Sequence, residues 1–165
     1  FRQLDIEETV EAMENLREKG LTRNIGVSNF NTSQMDKAFK ATENGILTNQ
    51  VEYHPFLEQE AVTKKCRDLD MMLTAYSPLA RGKVMENKVL ENIGDNYGKS
   101  AAQVALRWLL DQENVAAIPK SGSEQHIREN FEVFDFELSG DERKRIESLD
   151  KDQRLINPGF APEWD

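Results

Sequence analysis

The sequence has very few residues of the kinds that bind metals or form disulfides. Cys66 is the only cysteine, so no disulfide can form within the chain, and we interpret it as a small core residue of a helix or a bystander. This usage favours a reducing compartment. The two histidines, His54 and His126, join no cluster with metal-ligand spacing, and no serine, histidine and aspartate have the spacing of a hydrolase triad. We therefore expect no metal site, and we interpret His54 as a loop or packing residue.

Long apolar runs and basic residues are also scarce. No apolar run approaches the ~20 residues of a membrane span, and residues 1–3 do not begin a signal peptide. Lysine and arginine total 21 against 30 aspartates and glutamates, and the net charge of −9 argues against a nucleic-acid or anionic-membrane surface. We expect a cytoplasmic protein without nucleic-acid or membrane partners.

The sequence does contain enough apolar residues for one core. With 165 residues, of which 38% are hydrophobic, the chain is predicted to form one domain over residues 1–165. It opens on Phe1 rather than on methionine, and its first predicted element is a helix with no strand before it. We therefore expect the parent protein to have a further segment upstream of Phe1.

Predicted strands and helices alternate along the chain. The predicted strands lie at residues 24–30, 46–51, 71–76 and 115–118, and the last of them is apolar enough for a buried strand. The predicted helices lie at residues 7–19, 31–43, 58–69, 88–97 and 139–149, with two more that start after positions 100 and 123. Residues 151–165 are predicted to be an irregular tail.

Serial strand-helix units predict parallel strands with right-handed crossovers. Because a complete (β/α)8 barrel needs ~250 residues, four units fit half of one. The predicted fold class is α/β, the C-terminal half of a (β/α)8 TIM barrel with four parallel βα units plus extra helices. The alternative is a self-contained four-stranded α/β sheet.

Polar residues at helix starts predict specific caps. Asn31 with Gln34, and Ser100 with Gln103, have the spacing of capping boxes, in which side chain and backbone bond reciprocally. Ser123 is a good N-cap for a helix that begins at the next residue.

The turn after the fourth predicted strand combines the features of an anion site. Pro119 ends the strand, Lys120 supplies a positive charge, and the small residues 121–123 precede a helix N-terminus with free N–H groups. Neither G-x-G-x-x-G nor G-x-x-x-x-G-K-[ST] is present. From these residues alone, the alternatives are a phosphate site and an ordinary turn with a solvated lysine.

Four segments together resemble the aldo/keto reductase family, in its order and spacing. They are IGVSNF at 25–30, NQVEYHP at 49–55, AYSPLARG at 75–82 and IPKSGSEQHIREN at 118–130. The family is a (β/α)8 barrel that uses NADP(H) to reduce aldehydes and ketones, and the resemblance covers its second half. It implies a small-molecule carbonyl substrate and NADP(H), with NAD(H) as the alternative cofactor.

The resemblance implies that Ser28, Asn29 and Gln50 hold the carboxamide of the nicotinamide. A carboxamide both donates and accepts hydrogen bonds, and the side chains of serine, asparagine and glutamine do the same. The alternative is that Asn29 caps the next helix and Gln50 is an amide satisfied at a strand end. The resemblance further implies that the ring of Tyr76 stacks on the nicotinamide.

Two other segments are implied to bind the phosphate groups. Ser77, Leu79 and Arg81 at the third strand's end would cover the pyrophosphate, where backbone N–H groups and a cation are both useful. Lys120 and Ser121 would take the adenosine 2′-phosphate.

The helix after this lysine is implied to contact the ribose and adenine through Glu129 and Asn130. Many relatives have an arginine where this chain has His126, a difference that puts the strength of the NADP preference in question. Arg128 lies two positions further along, and a helix turns ~100° per residue, so we expect it to point elsewhere.

The tyrosine, lysine, aspartate and histidine that the family uses in catalysis have no counterpart in this sequence. The resemblance places them in the first half of the barrel, so no catalytic residue is assigned and the chain alone is predicted to be inactive. The alternative function is a non-catalytic nicotinamide-cofactor-binding or regulatory module. Unpaired strand edges predict that the chain pairs with its missing half or with itself.

Overall fold

The computed structural model of the protein describes residues 5–159 and 161–165, so the expectations about Phe1 and residues 1–3 lie outside the described residues. The strands are β1 Gly26–Ser28, β2 Thr48–Glu52, β3 Met72–Tyr76 and β4 Val115–Ala117. The helices are α1 Ile6–Glu18, α2 Thr32–Lys40, α3 Glu60–Asp68, α4 Lys88–Asp95, α5 Ala101–Leu110, α6 Glu124–Phe131 and α7 Gly140–Glu147, and a 3-10 segment covers Ala80–Glu86. Each predicted strand and helix is present, with ends that differ by a few residues.

The four strands form one sheet in the order β1-β2-β3-β4. The first two strands are parallel, with Gly26 opposite Thr48 and Ser28 opposite Gln50. Because sequential parallel strands need a crossover, each strand is followed by at least one helix. The α/β class with four parallel strands is therefore confirmed.

Both predicted capping boxes are confirmed. The Asn31 side chain accepts a hydrogen bond from the Gln34 N–H at 2.9 Å, and the Asn31 N–H donates to Gln34 Oε1 at 3.0 Å. Ser100 and Gln103 form the same reciprocal pair at the start of α5. Ser123 caps α6, where its side chain accepts from a backbone N–H, as predicted. Local sequence therefore sets where these helices begin.

The chain divides into two compact units. Unit 1 comprises Phe1–Val51, Glu60–Leu73 and Gly159–Asp165, and unit 2 comprises Glu52–Gln59 and Thr74–Pro158. Strands β2 and β3 each have residues in both units.

In unit 1, a polar cluster joins α1 to the segment after α2. Glu14 pairs with Arg17 and accepts hydrogen bonds from Thr42 Oγ1 at 2.7 Å and Asn44 Nδ2 at 2.6 Å. These bonds draw the segment toward α1, so α2 ends at Lys40, earlier than predicted.

The apolar core of unit 1 includes the only cysteine. Cys66 is buried on α3, which confirms its interpretation as a core residue, and burial raises the pKa of its thiol to about 11. The other buried apolar side chains of this unit include Val10, Ile25, Met35, Ala38, Val51, Val62 and Leu73.

Helix α5 supplies much of the core of unit 2. The apolar face predicted for it is buried throughout, at Ala101, Val104, Ala105, Trp108 and Leu109. Helical periodicity alone was enough to identify this face.

The prediction that the fourth strand is buried is wrong. The residues of β4, Val115 to Ala117, are only half-buried, and Ile118 is exposed. β4 is the last strand in the sheet order, so it has one neighbouring strand rather than two.

Among the described residues, none of the helices combines the length and the apolar composition that crossing a bilayer requires.

Candidate functional site

In unit 1, Ser28, Asn29 and Gln50 lie together where β1 ends opposite the middle of β2. The carbonyl oxygen of Gln50 accepts hydrogen bonds from the Asn29 N–H at 2.9 Å and from Ser28 Oγ at 3.0 Å. Asn29 Nδ2 lies 3.3 Å from Ser28 Oγ and donates to it. Asn29 has φ 56°, a left-handed conformation that asparagine tolerates better than most residues. The cap of α2 is Asn31, so the alternative in which Asn29 caps that helix is wrong.

Buried Asn49 holds the chain that follows this cluster. Its side-chain amide donates from Nδ2 to the Phe30 carbonyl at 2.8 Å and accepts from the Phe30 N–H at 3.3 Å. Sequence analysis did not identify this role. Alternate residues of a strand face the same side, so Asn49 lies on the same face of β2 as the core residue Val51. A polar residue on that face was the available signal.

In unit 2, the turn predicted to bind an anion borders a cavity of about 210 Å³, here called the smaller cavity. Its lining residues include six that the resemblance implied, namely Leu79, Lys120, Ser121, His126, Glu129 and Asn130. The turn is ordered by Ser121 Oγ, which accepts from the Ser123 N–H at 3.1 Å. A cation and a hydroxyl therefore line one cavity together with His126 from the first turn of α6, a combination that suits a phosphate.

A second cavity of unit 2, here called the larger cavity, has a volume of about 450 Å³. Ser77, Arg81 and Ile156 are among its lining residues, and it shares Leu79, Met85 and Lys120 with the smaller cavity.

Several residues of the loop that follows β3 have a left-handed backbone conformation. Ser77, Ala80 and Arg81 have φ values of 49°, 47° and 53°, and Gly82 has φ 100°. Strained backbone of this kind clusters at binding sites, where it fixes the direction of N–H groups and side chains.

Tyr76 is half-buried at the end of β3 and lines neither cavity. Its carbonyl accepts from the Tyr53 N–H at 3.3 Å. Burial and the negative charge of Glu52 raise the pKa of Tyr76, so its hydroxyl stays protonated at neutral pH.

Arg128 does point away, as predicted. Its guanidinium pairs with Glu124 at 2.8 Å, and both side chains are largely exposed on α6. Neither residue lines the smaller cavity.

Sequence analysis missed the buried carboxylate of Glu52. The side chain is fully buried, lies 3.2 Å from His54 Nε2, and accepts hydrogen bonds from the N–H groups of Leu155 and Ile156. Burial acts to raise the pKa of Glu52, but these hydrogen bonds outweigh it and the pKa lies below its usual value. His54 is buried here as well, so its interpretation as a packing residue is confirmed.

Two tyrosine hydroxyls of unit 2 donate hydrogen bonds to other side chains. Tyr53 Oη donates to Gln112 at 2.5 Å, and Tyr97 Oη donates to Glu142 at 2.7 Å. The bond to Glu142 raises the pKa of Tyr97. In the described part of the chain, no tyrosine lines either cavity and no group of three metal-ligating side chains occurs.

Comparisons with known proteins agree on one family. A family model described as aldo/keto reductase family matches residues 1–151. The chain is 43% identical over 157 residues to aldose reductase C of Dictyostelium discoideum, covering 94% of this chain and 49% of that protein. It is 43% identical over 148 residues to glyoxal reductase of Bacillus subtilis, covering 90% and 53%.

Solved structures are similar too. The structure of a putative 2,5-diketo-D-gluconic acid reductase B superposes with a TM-score of 0.96 at 44% identity, over 99% of this chain and 59% of that one. The chain spans about half the length of the curated relatives it matches.

Proposed function

The chain belongs to the aldo/keto reductase family, and from this we propose that it is the cofactor-binding part of an NADP(H)-dependent carbonyl reductase. In this proposal, residues 1–165 correspond to the C-terminal half of a (β/α)8 barrel. The intact parent reduces small-molecule aldehydes or ketones to alcohols.

The observation that carries the proposal is the set of donors at the smaller cavity. Lys120 and Ser121 lie beside the N-terminus of α6, and His126 lines the same wall. A 2′-phosphate carries negative charge and acceptor oxygens, which a cation and a hydroxyl can bind together. These residues therefore fit NADP(H) better than NAD(H), which lacks that phosphate.

The remaining residues fit the other parts of the cofactor. At the larger cavity, Arg81 offers positive charge for a pyrophosphate. In unit 1, Ser28, Asn29 and Gln50 present hydroxyl and amide groups of the kinds that match a carboxamide. The cofactor, when bound, supplies the hydride for the carbonyl carbon, and these side chains bind and orient it.

Calorimetric titration with NADPH and NADH tests the proposal. Because a hydrogen bond to a charged group contributes ~1.5–3 kcal/mol, Lys120→Ala should weaken NADPH about tenfold or more and leave NADH nearly unchanged. Lys144→Ala, which removes an exposed lysine of α7 outside both cavities, is the control. Equal losses of NADPH and NADH would contradict a 2′-phosphate contact.

The second candidate function is a non-catalytic, cofactor-binding module. For the chain by itself it is favoured by one observation, that no tyrosine of the described residues lines either cavity. A protein of this kind would bind NADPH without reducing carbonyls even when its upstream half is present, so a turnover assay of the intact parent separates the two functions.

We also propose that the chain pairs with a complementary half or with itself. Leu47, Met72 and Ile118, beside or within the strands, expose 44%, 36% and 47% of their surface. Within the described part of the chain, β1 and β4 end the strand order and so each have an unpaired edge, and unpaired edges and exposed apolar side chains both favour association. Light scattering should detect dimers or larger species at micromolar concentration, and a compact monomer would contradict this part of the proposal.

A further inference from the structure

The segment that follows α7 returns to the buried carboxylate of Glu52. Glu52 Oε1 accepts from the Leu155 N–H at 2.9 Å, and Oε2 accepts from the Ile156 N–H at 3.0 Å. The donors are consecutive backbone groups, 103 and 104 positions along the chain from Glu52. A carboxylate that accepts two adjacent N–H groups fixes both the position and the direction of the segment.

The groups around Glu52 support the same contact. His54 Nε2 lies 3.2 Å from Oε1, and the charges of Arg154 and Glu52 interact. Arg154 donates to Gln59 Oε1 at 3.1 Å, and Gln59 in turn donates to the Glu52 carbonyl. Burying a carboxylate costs free energy unless the carboxylate is hydrogen-bonded. The Glu52 carboxylate at the end of β2 therefore needs the N–H groups of the segment that it holds.

Ile156 connects this contact to the larger cavity. Its N–H is bonded to Glu52, and the residue lines the cavity together with Ser77, Arg81 and Lys120. The Glu52 carboxylate therefore holds the backbone of Ile156, and the cationic side chains of Arg81 and Lys120 line the same cavity as Ile156.

We propose that Glu52 is a positioning residue that holds Ile156 in the wall of the larger cavity and so sets the affinity of that cavity for a phosphate-bearing ligand. The inference rests on the proposed function in one respect, since the natural ligand there would be the cofactor pyrophosphate. Inorganic pyrophosphate can probe the cavity without assuming that cofactor.

The first variant is Glu52→Gln, which keeps the shape of the side chain. Its amide NH2 must face one of the two N–H groups, so one hydrogen bond is lost. We expect pyrophosphate to bind about tenfold more weakly, the size of effect that follows from losing a bond to a charged group. Glu142→Gln is the matched control, because Glu142 is a buried carboxylate of unit 2 bonded to the Ser139 N–H at 2.8 Å and lines neither cavity.

Amide hydrogen exchange reports whether the segment has been released. Exchange at Leu155 and Ile156 should accelerate in Glu52→Gln and stay at the wild-type rate in Glu142→Gln. If Glu52→Gln does not fold, Leu155→Pro removes one of the two donors from the other side of the contact and should weaken pyrophosphate in the same way.

A double-mutant cycle separates positioning from general loss of stability. Ile156→Ala shortens the side chain and leaves its N–H in place, so Glu52→Gln should add little to the loss that Ile156→Ala already causes. Fully additive losses would overturn the inference. The inference would also be overturned if Glu52→Gln bound pyrophosphate with the affinity of the wild type although its amide exchange was accelerated. It would be overturned as well if the wild-type chain did not bind pyrophosphate.

The same titrations distinguish this inference from the proposed function. A wild-type chain that binds pyrophosphate but not NADPH would contradict the cofactor proposal. A tenfold pyrophosphate loss in Glu52→Gln would support the positioning role of Glu52 in that case as well.

Discussion

The candidate site residues of unit 1 and unit 2 are held in different ways. In unit 1, the Ser28 hydroxyl and the Asn29 N–H both bond to the carbonyl of Gln50, so the pairing of β1 with β2 fixes them. In unit 2, exposed Lys120 and His126 line an open cavity. In unit 1, therefore, strand pairing fixes the candidate side chains, whereas in unit 2 the candidate cations are exposed and their effect on a ligand would depend on the side chains around it.

The largest effect concerns turnover, because neither set of candidate residues includes a general acid. General acid catalysis contributes ~10²–10⁴ in rate, and no tyrosine of the described chain lines a cavity. We expect no NADPH oxidation above background with a nitrobenzaldehyde. Turnover that follows the protein through purification would show that one of the units contains an unrecognised acid.

The next effect tests whether charge determines affinity in unit 2. His126→Arg adds a permanent cation at the smaller cavity, and we expect NADPH to bind about tenfold more tightly with NADH nearly unchanged. Ile127→Arg places the same charge one position along α6, at a residue that does not line the cavity, and should have little effect. A change below about twofold in NADPH affinity, or an equal change for NADH, would mean that His126 does not face the 2′-phosphate.

A smaller effect tests fixed geometry in unit 1. Asn29 has φ 56°, where alanine is strained by ~1–2 kcal/mol and glycine is not. Both substitutions remove the side-chain amide, but Asn29→Ala should lower the free energy of unfolding by about 1 kcal/mol more than Asn29→Gly. Denaturant unfolding measures the difference, and equal stabilities would show that this backbone conformation relaxes freely.

The smallest effect is a pH dependence in unit 1. Hydrogen bonds from Arg17, Thr42 and Asn44 lower the pKa of Glu14 from 4.5 to about 2. Because the folded-state pKa is the lower one, the stabilisation is complete above pH 4.5 and is lost as the pH falls toward 2.

Unfolding measured across this pH range tests the assignment to Glu14. The stability difference between wild type and Glu14→Gln should be constant near neutral pH and shrink below pH 4.5. Glu11→Gln, an exposed neighbour on α1, serves as the control. A stability difference that does not change with pH would contradict the lowered pKa of Glu14 in this cluster.

Features encoded within a few residues could be predicted from the sequence. The capping boxes that begin α2 and α5, and the Ser123 cap of α6, depend on a spacing of three residues and were predicted correctly. The turn at Lys120 was singled out as a possible anion site for the same reason, because its proline, lysine and small residues are consecutive, and that assignment stays a prediction.

Features that depend on distant partners could not be predicted. The role of Glu52 is set by two N–H groups more than a hundred positions along the chain, and no local pattern reveals that contact. The half-buried state of β4 depends on its place at the end of the strand order, and its apolar composition alone does not determine it. Sequence patterns predict the helices and strands, whereas the neighbours of each helix or strand in the fold determine how far it is buried and which residues it contacts.

The most direct test uses the two halves of the cofactor separately on the ¹⁵N-labelled chain. Adenosine 2′,5′-bisphosphate should shift the backbone amide resonances of Ser121, Ser123 and His126, and nicotinamide mononucleotide should shift those of Ser28 and Asn29. If adenosine 2′,5′-bisphosphate leaves Ser121 and His126 unshifted at millimolar concentration, the smaller cavity is not a 2′-phosphate site and the assignment of NADP(H) is contradicted.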